Sequence, residues 1–203
     1  MVQVLSIQSS PNLAGSISRE ISKTFVENFV AHHPGTTVVT RDLVTNPVPH
    51  LGVDLLGGLF SPPDQLTPAQ RDALALSDAL IAEIEAADVI VIGVPMHNFG
   101  IPSTLKAWVD HITRANKTFR YTEAGPVGLL SNKKVYLFGA SGGVYSEGPY
   151  QAYDHAITFV QGVLGFLGLT DVSVVRAEGL ALGPDVATKA TAGARAAAEK
   201  LAA

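Results

Sequence analysis

Apolar and polar positions alternate along Val2–Gln8, a run rich in β-branched residues, and this predicts a strand. It breaks at the polar stretch Ser9-Ser10-Pro11-Asn12. The period then changes: Ile17, Ile21, Phe25 and Phe29 recur at i, i+4 steps and predict a helix with one apolar face. Thr36–Asp42 reads as a second strand. Thr67 before Pro68 is an N-cap and N1 pair, opening a helix that runs to about Ala87. Val89–Val94 is apolar throughout, as expected of a central parallel strand covered on both faces. Pro102 opens a further helix, with Leu105, Trp108, Val109 and Ile112 on one side. A loop or hairpin is expected around Phe119–Tyr121, followed by a fourth strand at Val135–Gly139. A helix from about Tyr150 to Leu167, a strand at Val172–Arg176 and an alanine-rich surface helix from Pro184 complete the chain.

One stretch resists this pattern. Asn46–Pro68 is broken by prolines and glycines, yet it carries Leu51, Leu55, Leu56, Leu59 and Phe60. It is too apolar for a solvated linker and too interrupted for one long element.

Five strands alternating with five helices predict a doubly wound α/β sheet of order 2-1-3-4-5, in a single domain spanning 1–203. Ligands of such sheets sit at the carboxyl ends of the strands, beside the point where the strand order reverses. The loops after strands one, three and four are therefore the candidate site.

Composition narrows the chemistry. The chain has 203 residues, 47% hydrophobic and 16% charged, enough to bury a sizeable core. A net charge of −4 argues against a nucleic-acid binder, which normally shows a basic excess. The absence of cysteine excludes disulfides, thiolate metal sites and cysteine nucleophiles. No apolar run approaches the roughly 18 residues of a membrane span, and no basic flank precedes the first apolar stretch, so no signal peptide and a cytoplasmic location are expected. His32 and His33 adjoin each other at a helix end and the other four histidines are scattered, none with metal-ligand spacing, so no metal is expected.

The first loop offers Ser9, Ser10, Ser16 and Ser18 around a helix N-terminus. Unpaired backbone N–H groups and hydroxyls there can cradle a phosphate without a lysine; capping by Ser16 or Ser18 is the plainer alternative. The second loop, Pro95–Pro102, offers backbone donors and acceptors with Met96 and Phe99 beside them, suited to a flat conjugated ring. His97 could exchange a proton near neutrality, although a lone histidine is more often a surface residue. The third loop, Gly139-Ala140-Ser141-Gly142-Gly143, matches the G-x-S-x-G nucleophile elbow of hydrolases. The only later histidine is His155, directly after Asp154, and neighbours on a helix do not face each other. A serine hydrolase using Ser141 is thus disfavoured; a glycine pair also permits close approach of backbone to a ring.

Taken together, the segments PMHNFGIPSTLKAWVDHITRANKTFRYTEAGPVGLL (Pro95–Leu130), SGGVY (Ser141–Tyr145) and LGFLGLTDV (Leu164–Val172) resemble the FMN-dependent NADH:quinone oxidoreductases, also described as azoreductases, over essentially the whole chain. The resemblance implies a flavodoxin-like fold and a non-covalently bound FMN, reduced by NADH or NADPH and reoxidised by a quinone or azo compound. It places the FMN phosphate at Ser10 and Ser16-Ile17-Ser18. The ring falls at Met96, His97, Asn98 and Phe99 and at Ala140, Ser141, Gly142 and Gly143. The family's usual Met-Tyr-Asn-Phe reads Met-His-Asn-Phe here, and Ala140-Ser141 stand where Ser-Arg is frequent; backbone contacts tolerate both changes. Hydride transfer at a flavin needs no protein nucleophile, so no catalytic side chain is expected beyond a minor role for His97. Phe60, Phe99, Phe119 and Tyr121 are candidates for an apolar substrate platform, with core packing the alternative for Phe119. A non-catalytic FMN electron carrier would share the fold. The exposed leucines of 51–59 with Phe60, and Trp108 as an anchor, are expected to form a homodimer interface.

Overall fold

The computed structural model describes residues 1–203. Five parallel strands form the central sheet: β1 (Gln3–Gln8), β2 (Thr37–Asp42), β3 (Val89–Pro95), β6 (Lys134–Ala140) and β7 (Val172–Ala177). Their order is β2-β1-β3-β6-β7. The labels differ from the expected 2-1-3-4-5 because an antiparallel hairpin of β4 (Phe119–Thr122) and β5 (Gly125–Gly128) stands between the third and fourth sheet strands in sequence, outside the sheet. Chain direction across the sheet reverses at β1, which has β2 on one side and β3 on the other. All seven residues of β3 are buried, as its unbroken apolar run requires.

Helices α1 (Ile17–His32) and α6 (Pro184–Ala202) bury Ile21, Phe25, Phe29, Ala194 and Ala198 against one face of the sheet. The other face is covered by α3 (Pro68–Ala86), α4 (Ser103–Ile112) and α5 (Ile157–Phe166). Helix α3 starts where Thr67-Pro68 places it. Thr67 and Gln70 form a reciprocal capping box, satisfying two helix-end donors at once.

Three expectations are corrected. There are six α-helices rather than five, because the Pro/Gly-rich insertion folds into α2 (Val53–Phe60). The helix expected from Tyr150 begins only at Ile157. Residues Gly148–Tyr153 form a 3-10 turn, and Asp154 ends it by accepting hydrogen bonds from the backbone of Ala156 and Ile157. Trp108 is no interface anchor: it is 1% exposed and lies in the core beneath α4 with Leu105 and Ile112.

The insertion is tied to the domain by His111 at the end of α4. Its Nε2 lies 3.0 Å from the Pro49 carbonyl, while Nδ1 has no partner. The proton therefore sits on Nε2 and the ring is neutral. Burial pushes its pKa below the ordinary histidine value; Arg114 adds to this, while the Pro49 contact and Asp110 oppose it. A depressed histidine contributes stability that is complete above its unfolded value, near 6.5, and is lost as pH falls, because the unfolded chain then takes up the proton. The wild type should lose more of its thermal midpoint between about pH 7 and about pH 5 than His111→Gln. Equal losses in the two proteins would contradict this account.

Candidate active site

The carboxyl ends of β1, β3 and β6 carry the three loops to one edge of the sheet, on either side of the reversal point. After β1, Ser16 is the N-cap of α1 and accepts a hydrogen bond from the Arg19 N–H at 3.4 Å. Its Oγ lies 3.1 Å from that of Ser18, which is fully buried. The N–H groups of Ile17 and Ser18 have no acceptor within the chain, as first-turn donors do not. Ser10 is buried and its Oγ accepts from Asn12 N. Ser9 does not join this group, because its hydroxyl is spent on the Gly93 carbonyl at 2.6 Å.

Arg19 does not offer a free charge. Its guanidinium grips both Asp42 oxygens, at 2.7 and 3.0 Å, and donates twice to the Ser10 carbonyl. The bidentate pair fixes the loop to the end of β2. Hydrogen bonding from Arg19, helped by the Val44 and Thr45 amides against partial burial, holds the Asp42 carboxyl below its usual pKa. Its contribution to stability is present above the ordinary carboxylate range and disappears in acid below it.

After β3, His97 and Gly100 exchange backbone hydrogen bonds at 2.9 and 3.0 Å, closing a tight turn whose central residues are Asn98 (φ 49°) and Phe99 (φ 69°). Asparagine tolerates this left-handed region; phenylalanine occupies it only at a cost of about 1–3 kcal/mol. The surrounding bonds hold it there: the Phe99 carbonyl accepts from His155 N at 3.1 Å. Met96 is half-buried, while the side chains of His97, Asn98 and Phe99 are exposed.

After β6, the Ser141 amide and the carbonyls of Ser141, Gly142 and Gly143 bond to the segment 177–181, and Met96 N donates to the Ala140 carbonyl at 2.8 Å. The Gly142 and Gly143 amides have no acceptor within the chain. A Cβ on Gly143 would press on the Tyr145 ring at 3.1 Å, so a side chain here would disturb the surface these amides face. The Ser141 hydroxyl donates to the Gly143 carbonyl at 2.9 Å. Asp154 is committed to Arg176 at 2.7 Å. No base is aimed at Ser141 and no acid at a base, so the nucleophile-elbow reading fails on geometry. A nitrophenyl ester is expected to hydrolyse no faster with the protein than without it; enzyme-dependent turnover would restore that reading.

The structure thus brings together Ser10, Ser16, Ile17 and Ser18, the 96–99 turn and the 140–143 loop along one edge. Of the aromatic candidates, Tyr121 is 74% exposed and Phe60 82% exposed. Phe119 is buried at 8%, packed against Phe166 and edge-on to Tyr121, so it supports Tyr121 from beneath and offers no face of its own. Sequence reasoning missed the aromatic neighbours of Phe99: Tyr145, edge-on at 6.0 Å, and Tyr153 at 5.2 Å. Gly148-Pro149 followed by the capping Asp154 was the available signal that this stretch is a turn presenting tyrosines. A cavity of about 510 Å³, lined by Gly143, Val144, Glu147, Pro149, Tyr150 and Leu182, adjoins it.

Comparison with known proteins identifies the family to which this fold belongs. A family model described as flavodoxin-like fold matches residues 2–202. The FMN-dependent NADH:quinone oxidoreductase of Herminiimonas arsenicoxydans is 50% identical over 192 residues, covering 95% of this chain and 94% of its own. That of Azotobacter vinelandii is 48% identical over 100% of this chain and 98% of its own. An azoreductase from Bacillus anthracis superposes with a TM-score of 0.93 at 36% identity, covering 100% and 99% of the two chains. An FMN-dependent NADH-azoreductase of the same species, solved in complex with FMN, gives 0.89 at 29% identity over the full length of both. This chain belongs to the family of FMN-dependent NADH:quinone oxidoreductases and azoreductases, with the flavodoxin-like fold.

Proposed function

We propose that residues 1–203 act as one FMN-binding domain that oxidises NADH, or NADPH, and reduces quinones and azo compounds in two alternating half-reactions. The observation that carries this reading is the set of backbone amides without acceptors (Ile17, Ser18, Gly142 and Gly143) arrayed along the one sheet edge where such folds bind ligands. The N-terminus of α1 would hold the phosphate, since dipole and amides there favour an anion and Arg19 is already neutralised by Asp42. The Ser10 and Ser16 hydroxyls complete that cradle. The backbone of the strained 97–100 turn and the Ala140–Gly143 loop would hold the ring.

When bound, FMN supplies the ring that accepts hydride from the nicotinamide and later passes the electrons on. The chain holds that ring and leaves one side open to each substrate in turn. Phe99, exposed beside Tyr153, offers an apolar wall for flat molecules. Protons for the acceptor come from solvent, and the exposed His97 side chain has at most a minor part in their delivery.

The exposed face of α2 supports a homodimer. Val53, Leu56 and Phe60 recur at i, i+3, i+7 on one side of that helix, with Leu51 next to it, while Leu55 turns inward at 3% exposed. A two-fold pairing would bring Phe60 of one protomer against the site of the other. No helix is long and apolar enough to cross a membrane; a cytoplasmic location and the absence of nucleic-acid partners are part of the same proposal.

The test is a visible spectrum before and after NADH. The purified protein should be yellow, bleach on NADH addition and recover with a benzoquinone. Initial rates against both substrates should give parallel lines, as expected when two substrates share one place in alternation. Intersecting lines across several acceptors would refute the shared face. Bleaching without steady turnover would leave an electron carrier.

A further inference from the structure

Beneath the second and third loops lies a charged cluster that the cofactor reading does not use. Arg176 stands at the carboxyl end of β7, opposite Gly139 in the register of β6 and β7. A Cβ on Gly139 would lie 3.7 Å from Arg176 Cγ and 3.1 Å from Ile157 Cδ1, so the bare glycine leaves room for the arginine to lie across the strand. Its Nη2 donates to Asp154 Oδ2 at 2.7 Å, and its Nη1 lies 3.7 Å from Glu178 Oε1. The side chains of Asp154, Glu178 and Arg176 are 2%, 13% and 23% exposed. Two carboxylates so far removed from water require a shared cation, and removing it would leave both uncompensated.

Each carboxylate grips a different loop. Asp154 Oδ1 accepts from the amides of Ala156 and Ile157, at 3.2 and 3.0 Å. That fixes the strand of chain from which His155 N donates to the carbonyl of the strained Phe99. Glu178 accepts from the amides of Tyr145 and Ser146, at 2.9 and 3.0 Å, and from the Ser146 hydroxyl. That fixes the far end of the loop whose near end carries the free Gly142 and Gly143 amides. A continuous chain of polar contacts, joined through the peptide bond between Asp154 and His155, therefore runs Phe99–His155–Asp154–Arg176–Glu178–Tyr145/Ser146.

We propose that Arg176 is a positioning residue that couples the 97–100 turn to the 140–146 loop, so that the two set one geometry together. The proposal rests on the reading above that both loops hold the ring. Neither carboxylate is aimed at substrate; their effect passes through backbone amides. Arginine suits the task because separate nitrogens of its planar fork face Asp154 and Glu178, whereas the three donors of a lysine ammonium sit at one point and cannot span both positions as well.

Coupling is reciprocal, and this gives a test that needs no flavin. In the apo-protein, Glu178→Gln should accelerate amide exchange not only at Tyr145 and Ser146 but also at His155. Asp154→Asn should accelerate exchange at Tyr145 and Ser146. Arg176→Met should do both, and Arg176→Lys should restore protection at one end only. Faster exchange confined to the loop each carboxylate touches would overturn the proposal. Glu178→Gln leaves the α5 cap intact, so the test survives even if Asp154→Asn fails to fold.

A second readout uses FMN titrated into apo-protein and followed by visible circular dichroism. Arg176→Met should raise the FMN Kd about tenfold, within the usual range for coupled neighbours, and alter the dichroism of the bound ring. Wild type that binds FMN while Arg176→Met matches it in Kd and dichroism would sink the coupling and leave the functional reading standing. Wild type that binds no FMN would sink the functional reading, and with it the ring-holding role of the two loops, while the exchange data on apo-protein would still decide the coupling through Arg176.

Discussion

Ser16→Asp is expected to weaken FMN binding by about 2 kcal/mol or more, roughly 30-fold, while leaving the empty protein as stable as before or slightly more so. The two effects have opposite causes. Aspartate is as good an N-cap as serine, and its charge suits the positive end of the helix, by about 0.3–1 kcal/mol. The same charge stands where a phosphate would approach the Ile17 and Ser18 amides. Arg19 cannot rescue it, being held by Asp42 and the Ser10 carbonyl. Ser18 would be a poorer position for this test, because it is fully buried and a carboxylate there would strain the fold itself. Ser16→Ala should do the reverse, losing about 1 kcal/mol of stability with the cap and less of the affinity. Titration calorimetry with FMN and thermal unfolding of apo-protein read the two quantities separately. Unchanged affinity in Ser16→Asp would remove the phosphate from the N-terminus of α1.

Gly128→Ala is expected to be among the most damaging single methyl additions in the molecule. The hairpin β4–β5 reaches the domain through Gly128, where an added Cβ would lie 2.1 Å from Gly168 N and 2.2 Å from Leu167 C. Both obstacles are backbone and cannot swing aside. Gly168 is itself at φ +98°, with the Leu130 carbonyl 2.3 Å from its own would-be Cβ. The hairpin must lift away from the end of α5. We expect a loss of about 3 kcal/mol, at the upper end of overpacking costs, and a thermal midpoint lower by roughly 6–12 °C for a domain of this size. Tyr121 moves with the hairpin, so the KM for quinones should rise, whereas FMN affinity should hold because the phosphate cradle is built from β1 and α1. A midpoint within about 1 °C of wild type would show that the contact is not as tight as the geometry says.

The fold was legible wherever one physical signal acted alone. Thr67-Pro68 with Gln70 announces a helix start by local chemistry, and the apolar run of β3 is too short for a buried helix and rich in β-branched residues, which favours a strand covered on both sides. The candidate loops followed from topology, since an order reversing at β1 places them on one edge. Signals serving two purposes were harder. The stripe Leu105, Trp108, Val109, Ile112 satisfies a core and an interface equally well, and only the covering of α4 by its neighbours sends Trp108 inward. Phe119 alternates correctly for a platform, yet its partner Phe166 comes from a helix remote in sequence. Tyr153 was hidden because the helix expected from about Tyr150 covers it, whereas the turn continues to Tyr153 and its end depends on where Asp154 sends its carboxylate; Tyr145 meets Phe99 only through the fold. The Arg176 cluster joins residues from β7 and from the turns before α5, so no spacing in the sequence could reveal it.

The inward turn of Trp108 has a practical corollary. It is the only indole in the chain, 1% exposed, and its N–H meets no acceptor. An indole in such surroundings emits at short wavelength, and that emission falls where flavins absorb. Adding the cofactor should therefore dim it without moving its colour, whereas melting the core should move its colour to the red. One intrinsic fluorophore thus reports occupancy by intensity and folding by wavelength, with no label attached.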